Sequence, residues 1–223
     1  MSEEKSEFLT NNGTLVDVLK IALPLILSSS CHAVNMFMDR LMLTRYSQAR
    51  AAAALTGGLT SFTLQCFFVG AVGYAGTFVA QYSGANQPQR VGTAVWQGIF
   101  MAIAGAIFMA SCCLWIPHLF AALGHEAEVE VQENTYFKWL ALGCIVFLLQ
   151  QALSCFWSGR GKTTMVLAVS IWVTVLNLPL NYAFIYGKWG CPEMGTAGAA
   201  LGTILAALGG LLVYAVGFFG LKK

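Results

Sequence analysis

Charge is what this sequence has least of. Only 10% of its 223 residues are Asp, Glu, Lys or Arg, while 57% are hydrophobic. A soluble domain carries about 25% charged and about 45–50% apolar residues. So few charges cannot cover the surface of a soluble globular enzyme, and a disordered chain and a coiled coil are excluded on the same ground. The net charge of +2 gives no reason to expect a nucleic-acid partner. Histidine is also scarce: His32, His118 and His125 show no metal-like spacing. No serine, cysteine or carboxylate pair forms a catalytic set, so neither an enzyme nor a cofactor is expected. Gly161-Lys162-Thr163 ends like a phosphate-binding loop, but Phe156 stands where that loop needs its first glycine. The seven cysteines are odd in number. Cys31, Cys66, Cys112, Cys113, Cys144 and Cys155 lie in apolar runs and read as small buried hydrophobes, leaving Cys191 in a loop. The N-terminus is polar and acidic, unlike a secretory signal.

What the chain has instead is long apolar runs, over residues 15–43, 51–82, 91–116, 136–156, 165–186 and 196–219. A membrane-spanning helix needs about 20 residues. Helices are the structure such runs adopt in lipid, because every backbone polar group must pair internally. A barrel would show short alternating strands instead. The expected fold is an all-α integral membrane bundle of about six transmembrane helices. It divides into a cytoplasmic tail over 1–14, a six-helix lobe over 15–221 and a basic end at 222–223. Lys5, Lys20, Arg90, Arg160, Lys162, Lys222 and Lys223 fall on one side of this topology; Arg45, Arg50, Lys138 and Lys188 fall on the other. The bias puts both termini in the cytoplasm. The acidic stretch with Glu126, Glu128, Glu130 and Glu133 is then an external loop, and His125 lies at the outer surface. Trp139, Trp157, Trp172 and Trp189 fall near segment ends, where interfacial indoles belong.

The informative residues are those a membrane helix should not carry. Ser28, His32, Asn35 and Asp39 recur at spacings of four, three and four. At 3.6 residues per turn they share a face within about 60°. A carboxylate among lipid tails costs at least about 2.5–3.5 kcal/mol, so Asp39 belongs in a bundle interior or a wet cavity. The alternative is a place near the helix end, pairing with Arg40 or reaching the interface. Leu41, Met42 and Leu43 continue the apolar run and argue for the interior. Ser170, Thr174, Asn177 and Asn181 repeat the pattern, and Pro179 can bend that helix toward a cavity. Two amides in register with a second polar helix point to a site. Gln150, Ser154 and Ser158, with Ser61 and Gln65, either line the same cavity or hold helices together. Gly76, Ala80 and Gly84, and Gly198 and Gly202, sit four residues apart, as in close helix packing.

Read together, these stretches resemble a known family. PLILSSSCHAVNMFMDRLML, VAQYSGANQ, SGRGKTTM, NLPLNYAFIYG and MGTAGAALGT occur in the order found in the first half of a multidrug and toxic compound extrusion (MATE) transporter. The resemblance covers nearly the whole chain. It implies a six-helix lobe in the plasma membrane (the inner membrane of a bacterium). It also implies secondary active export of cationic or amphipathic organic compounds, driven by sodium or protons. On this likeness Asp39, Asn177, Asn181 and Thr203 bind the coupling cation, with Asp39 a possible sodium ligand. Ser28, His32, Asn35, Gln65, Gln150, Ser154 and Thr174 are candidates for the cavity lining. Asn181 departs from members that carry a second carboxylate there, which leaves Asp39 as the only fixed negative charge of the cluster. Such transporters have about twelve helices in two lobes, so the expected partners are a second lobe, the bilayer and a small-molecule substrate. Two other readings stay open: a lobe that moves nothing without a partner, and a lipid-linked sugar flippase of the wider superfamily. The flippase would want a basic cavity for pyrophosphate.

Overall fold

The computed structural model describes residues 15–220, which are helical apart from short turns. The tail over 1–14 and the end at 222–223, with Lys5, Lys222 and Lys223, lie outside the described residues. Helix α1 is Leu15–Tyr46, α2 is Gln48–Gly73 and α3 is Ala75–Gly84. Helix α4 is Pro88–Cys112, α5 is the short Ile116–Leu123, and α6 is Ala127–Ser158. Helices α7, Thr163–Tyr186, and α8, Thr196–Gly220, complete the described residues. Among the described residues six stretches are long and apolar enough to cross a membrane, α2 and α3 counting as one of 37 residues, Gln48–Gly84.

Local chemistry accounts for most of the joins. Pro88 and Pro117 each stand in the first turn of a helix, where a missing N–H is harmless. Gly187, at φ 64°, closes α7 in the left-handed conformation that favours glycine. Tyr74 keeps helical angles between α2 and α3, and its N–H still bonds Gly70 O at 3.0 Å, so that span is jointed without being interrupted.

Three expectations change. The third run ends at Cys112 and a separate helix follows, because Pro117 starts a helix more readily than it continues one. The acidic stretch is no loop: α6 begins at Ala127, and Glu128 and Glu130 in its first turn favour the positive end of the helix dipole. Trp157 is not interfacial. It is buried in the core, close against Gly217.

Helix α6 forms the axis of the lobe. Val72, Ala102, Phe120, Phe137 and Leu148 build one core cluster around it; Val95, Leu153, Trp157, Tyr214 and Phe218 build another. A third, smaller cluster joins Leu43, Ala54, Tyr136, Ile185 and Ala199. Helix α1 is peripheral: it packs mainly on α7 and leaves Val18, Leu23, Ile26 and Phe37 exposed. Gly198 and Gly202 do bring α8 against the backbone of α7. Of the other glycine row, Gly76 packs on Cys155, while Ala80 and Gly84 are exposed. Of the cysteines only Cys144 and Cys155 are buried; Cys66 is exposed and Cys191 half-buried.

Candidate functional site

Helices α1, α7 and α8 meet around one carboxylate. Asp39 is buried, as are Asn177 and Asn181. The Asn181 amide donates to Asp39 Oδ1, and the Thr203 hydroxyl lies 3.1 Å from Asp39 Oδ2 as its donor. Asn181 Nδ2 also donates to Asn177 Oδ1 at 3.0 Å, and Asn177 Nδ2 donates to Thr203 Oγ1 at 3.2 Å. The four residues therefore close a ring: Asp39, Asn181, Asn177, Thr203 and back to Asp39.

The ring follows from local sequence. Asn177 and Asn181 are one turn apart on α7, so their amides stack. Thr203 also contacts Ala199 O at 2.9 Å, a bond across one turn of its own helix, so its single proton is shared between the helix and Asp39. Gly202 is what allows the approach: a Cβ there would strike Asn181 Oδ1. Asp39 neither reaches the helix end nor pairs with Arg40, which is exposed; among the described residues no ion pair involves Asp39.

Two buried oxygens here lack a partner, Asn181 Oδ1 and Asn35 Oδ1. Asn35 lies one turn before Asp39 on the same face of α1. The site thus offers one carboxylate, amide oxygens and a hydroxyl. These are hard donors suited to a small cation or a proton, and unsuited to a soft transition metal. Among the described residues no three His, Cys, Asp or Glu side chains group as a metal site.

The other candidates divide. Ser28 and Ser170 hydroxyls bond at 2.5 Å, a second link between α1 and α7. Thr174 bonds Ser170 O of its own helix at 2.9 Å. His32 is exposed. Gln150 Nε2 lies against Gly210 on α8, 2.7 Å from where a Cβ would stand, and Gln65 and Ser154 are half-buried. None of these last four joins the ring.

Residues 24–183 of the chain match the MatE family model. The chain belongs to the MATE family. A probable multidrug resistance protein NorM of Pseudomonas putida is 32% identical over 194 residues, covering 86% of this chain and 42% of that protein. A probable NorM of Thermotoga maritima is 29% identical over 205 residues, covering 90% of this chain and 44% of the relative. The multidrug resistance protein PmpM of Pseudomonas aeruginosa is 27% identical over 199 residues, with coverages of 89% and 42%. The chain therefore spans less than half the length of these curated relatives. In three dimensions it resembles an outward-facing multidrug resistance MATE transporter of the MOP superfamily. The TM-score is 0.80 at 17% identity, over 92% of this chain and 45% of that one. A MATE protein in a bent conformation gives 0.79 over 89% of this chain and 44% of its own. At that identity the likeness shows the fold, one lobe of a MATE transporter. MATE proteins are transporters, not enzymes, and with six apolar spans this one is a multi-pass membrane protein.

Glu133 is the residue that reading the sequence misplaced. Expected in an external loop, it is fully buried on α6 and bonds His125 and Thr56. The signal was present. Glu133, Phe137, Ala141, Cys144 and Leu148 recur at spacings of four, four, three and four, the buried stripe of one helix.

Proposed function

We propose that this chain is one lobe of a secondary transporter that exports cationic or amphipathic organic compounds by sodium- or proton-coupled antiport. Asp39, Asn177, Asn181 and Thr203 hold the coupling cation. The observation that carries this reading is the closed ring around a single buried carboxylate, with unpaired amide oxygens beside it. A cation or proton entering there neutralises Asp39, and an organic cation drawn to the same charge is excluded. Two ligands that compete for one charge are coupled reciprocally, which is what antiport requires.

Transport takes two lobes rocking about a shared site, so the working partner is a second lobe, in the same polypeptide or in another. The basic bias places both termini and the turns at Arg90 and Arg160 in the cytoplasm of a cell with this protein in its plasma membrane. The flippase reading has less behind it: Arg40, next to Asp39, is exposed, and the ring contains no basic side chain.

The test is flux of a fluorescent organic cation in proteoliposomes under a sodium gradient or a proton gradient. Gradient-driven flux that Asp39→Asn abolishes supports the reading and names the ion. Flux that survives Asp39→Asn sinks the role of Asp39. No flux with either gradient, from folded and inserted protein, makes the lobe dependent on its partner for movement.

A further inference from the structure

A second buried carboxylate stands near the start of α6, at the end of the lobe away from Leu15 and Gly220. The Glu133 side chain has 0% exposure, and its Oε1 lies 2.9 Å from Nδ1 of His125, whose side chain is 36% exposed. The Thr56 hydroxyl from α2 bonds the same Oε1. Glu133 Oε2 is buried and has no partner. The pocket is tight: a Cβ on Gly57 would come within 3.0 Å of the Glu133 carbonyl oxygen. Next to Glu133, Gln132 accepts a hydrogen bond from Thr196 at the start of α8. Helix α2 and the turn before α6 therefore wall it in, and α8 is tied on beside it through Gln132.

We propose that His125 and Glu133 form a proton-binding site, distinct from Asp39 and loaded through the exposed imidazole. A bare carboxylate sealed in protein with one oxygen unpaired is costly, so the pair must hold a counter-charge. A metal is a poor candidate, since no third acidic, His or Cys ligand is grouped there among the described residues. A proton needs only one lone pair. Placed on the carboxylate, one proton leaves the pair net neutral, with His125 as its route from the surface. Its loss leaves a buried charge. A second proton leaves an imidazolium beside a neutral acid.

The titratable and charged groups on the surrounding elements are Arg50 and Cys66 on α2, Arg90 and Cys112 on α4, His118 on α5, Glu126 in the turn before α6, Tyr182 and Tyr186 on α7, and Glu128, Glu130, Tyr136, Lys138, Cys144 and Cys155 on α6 itself. Helix α8 brings only Tyr214, five turns along from Thr196. None of these bonds Glu133 among the described residues. The position matters because Tyr136, one turn on, packs with Leu43, Ala54 and Ala199. Leu43 is one turn from Asp39 and Ala199 one turn from Thr203, so the two sites share a wall.

The proposal does not depend on transport, and its test is spectroscopic. The full chain in lipid nanodiscs is taken from about pH 8 to about pH 5 while infrared difference spectra are recorded. A carbonyl band of a buried protonated carboxylic acid should develop, shift on glutamate-specific carbon-13 labelling, persist in Asp39→Asn and vanish in Glu133→Gln. His125→Asn should move its midpoint, and this variant serves if Glu133→Gln does not insert. A band insensitive to glutamate labelling, one already complete at the alkaline end, one retained in Glu133→Gln, or a midpoint unmoved by His125→Asn overturns the proposal.

Discussion

At the scale of single residues, the Asp39 ring is built from bonds that each have one obvious replacement. Thr203 accepts from Asn177 and donates to Asp39, so Thr203→Val leaves two buried polar atoms unpaired while keeping the side-chain shape. The expected cost is about 1–3 kcal/mol. Thr203→Ser should recover most of it, and thermal unfolding in detergent measures both. Gly202→Ala drives a methyl group into Asn181, with an expected loss of about 1–3 kcal/mol. Gly84→Ala meets nothing within 4 Å and should change stability by less than about 0.5 kcal/mol. Equal melting of the two glycine variants would mean that α7 and α8 are not in the tight contact described. Residue-level reading of the sequence reached Asp39, Asn177 and Asn181 because polar side chains at helical spacing are conspicuous in apolar helices. Thr203 was reached only through likeness, since one hydroxyl among glycines and alanines looks like packing. His32, Gln65, Gln150 and Ser154 share a face with neighbours but not the ring. Spacing gives the angle around a helix axis, not which helix lies opposite.

Among the helices, α1 is held differently from the rest. It buries little of its own apolar surface and relies on polar bridges to α7 and the loop beyond it: the ring, Ser28 to Ser170, and Tyr186 OH donating to Met42 O at 2.8 Å. At its end, the Tyr46 hydroxyl bonds Glu193 and the Arg50 guanidinium lies 4.7 Å from the Tyr46 ring centre. Tyr186→Phe should cost about 0.5–1.5 kcal/mol and raise amide hydrogen exchange in the second half of α1 while leaving α6 protected. Uniform protection of both helices in that variant would show that apolar contacts alone hold α1. The six spans were legible because their apolar length leaves no other structure in lipid. The start of α6 was not, because acidic residues suggest a loop by composition, yet suit the first turn of a helix and, at Glu133, an inward face.

For the molecule as a whole, the proposed orientation is directly checkable. Cys191 lies between α7 and α8, and Arg160 lies at the turn between α6 and α7. In intact cells a membrane-impermeant thiol reagent should label Cys191 and spare Arg160→Cys; inverted vesicles should reverse the pattern. Labelling of Arg160→Cys from outside would invert the topology. The helices are also longer than a bilayer requires. Helix α1 has 32 residues, which at 1.5 Å per residue is about 48 Å, against about 30 Å of hydrocarbon. Asp39 is seven residues from its end at Tyr46 (46 − 39), or about 10 Å of rise. Asp39 therefore lies much nearer the end of α1 at Tyr46 than the end at Leu15. A cation reaching the ring from the Tyr46 end has the shorter path along the helix, and the greater part of α1 lies on the other side of the site.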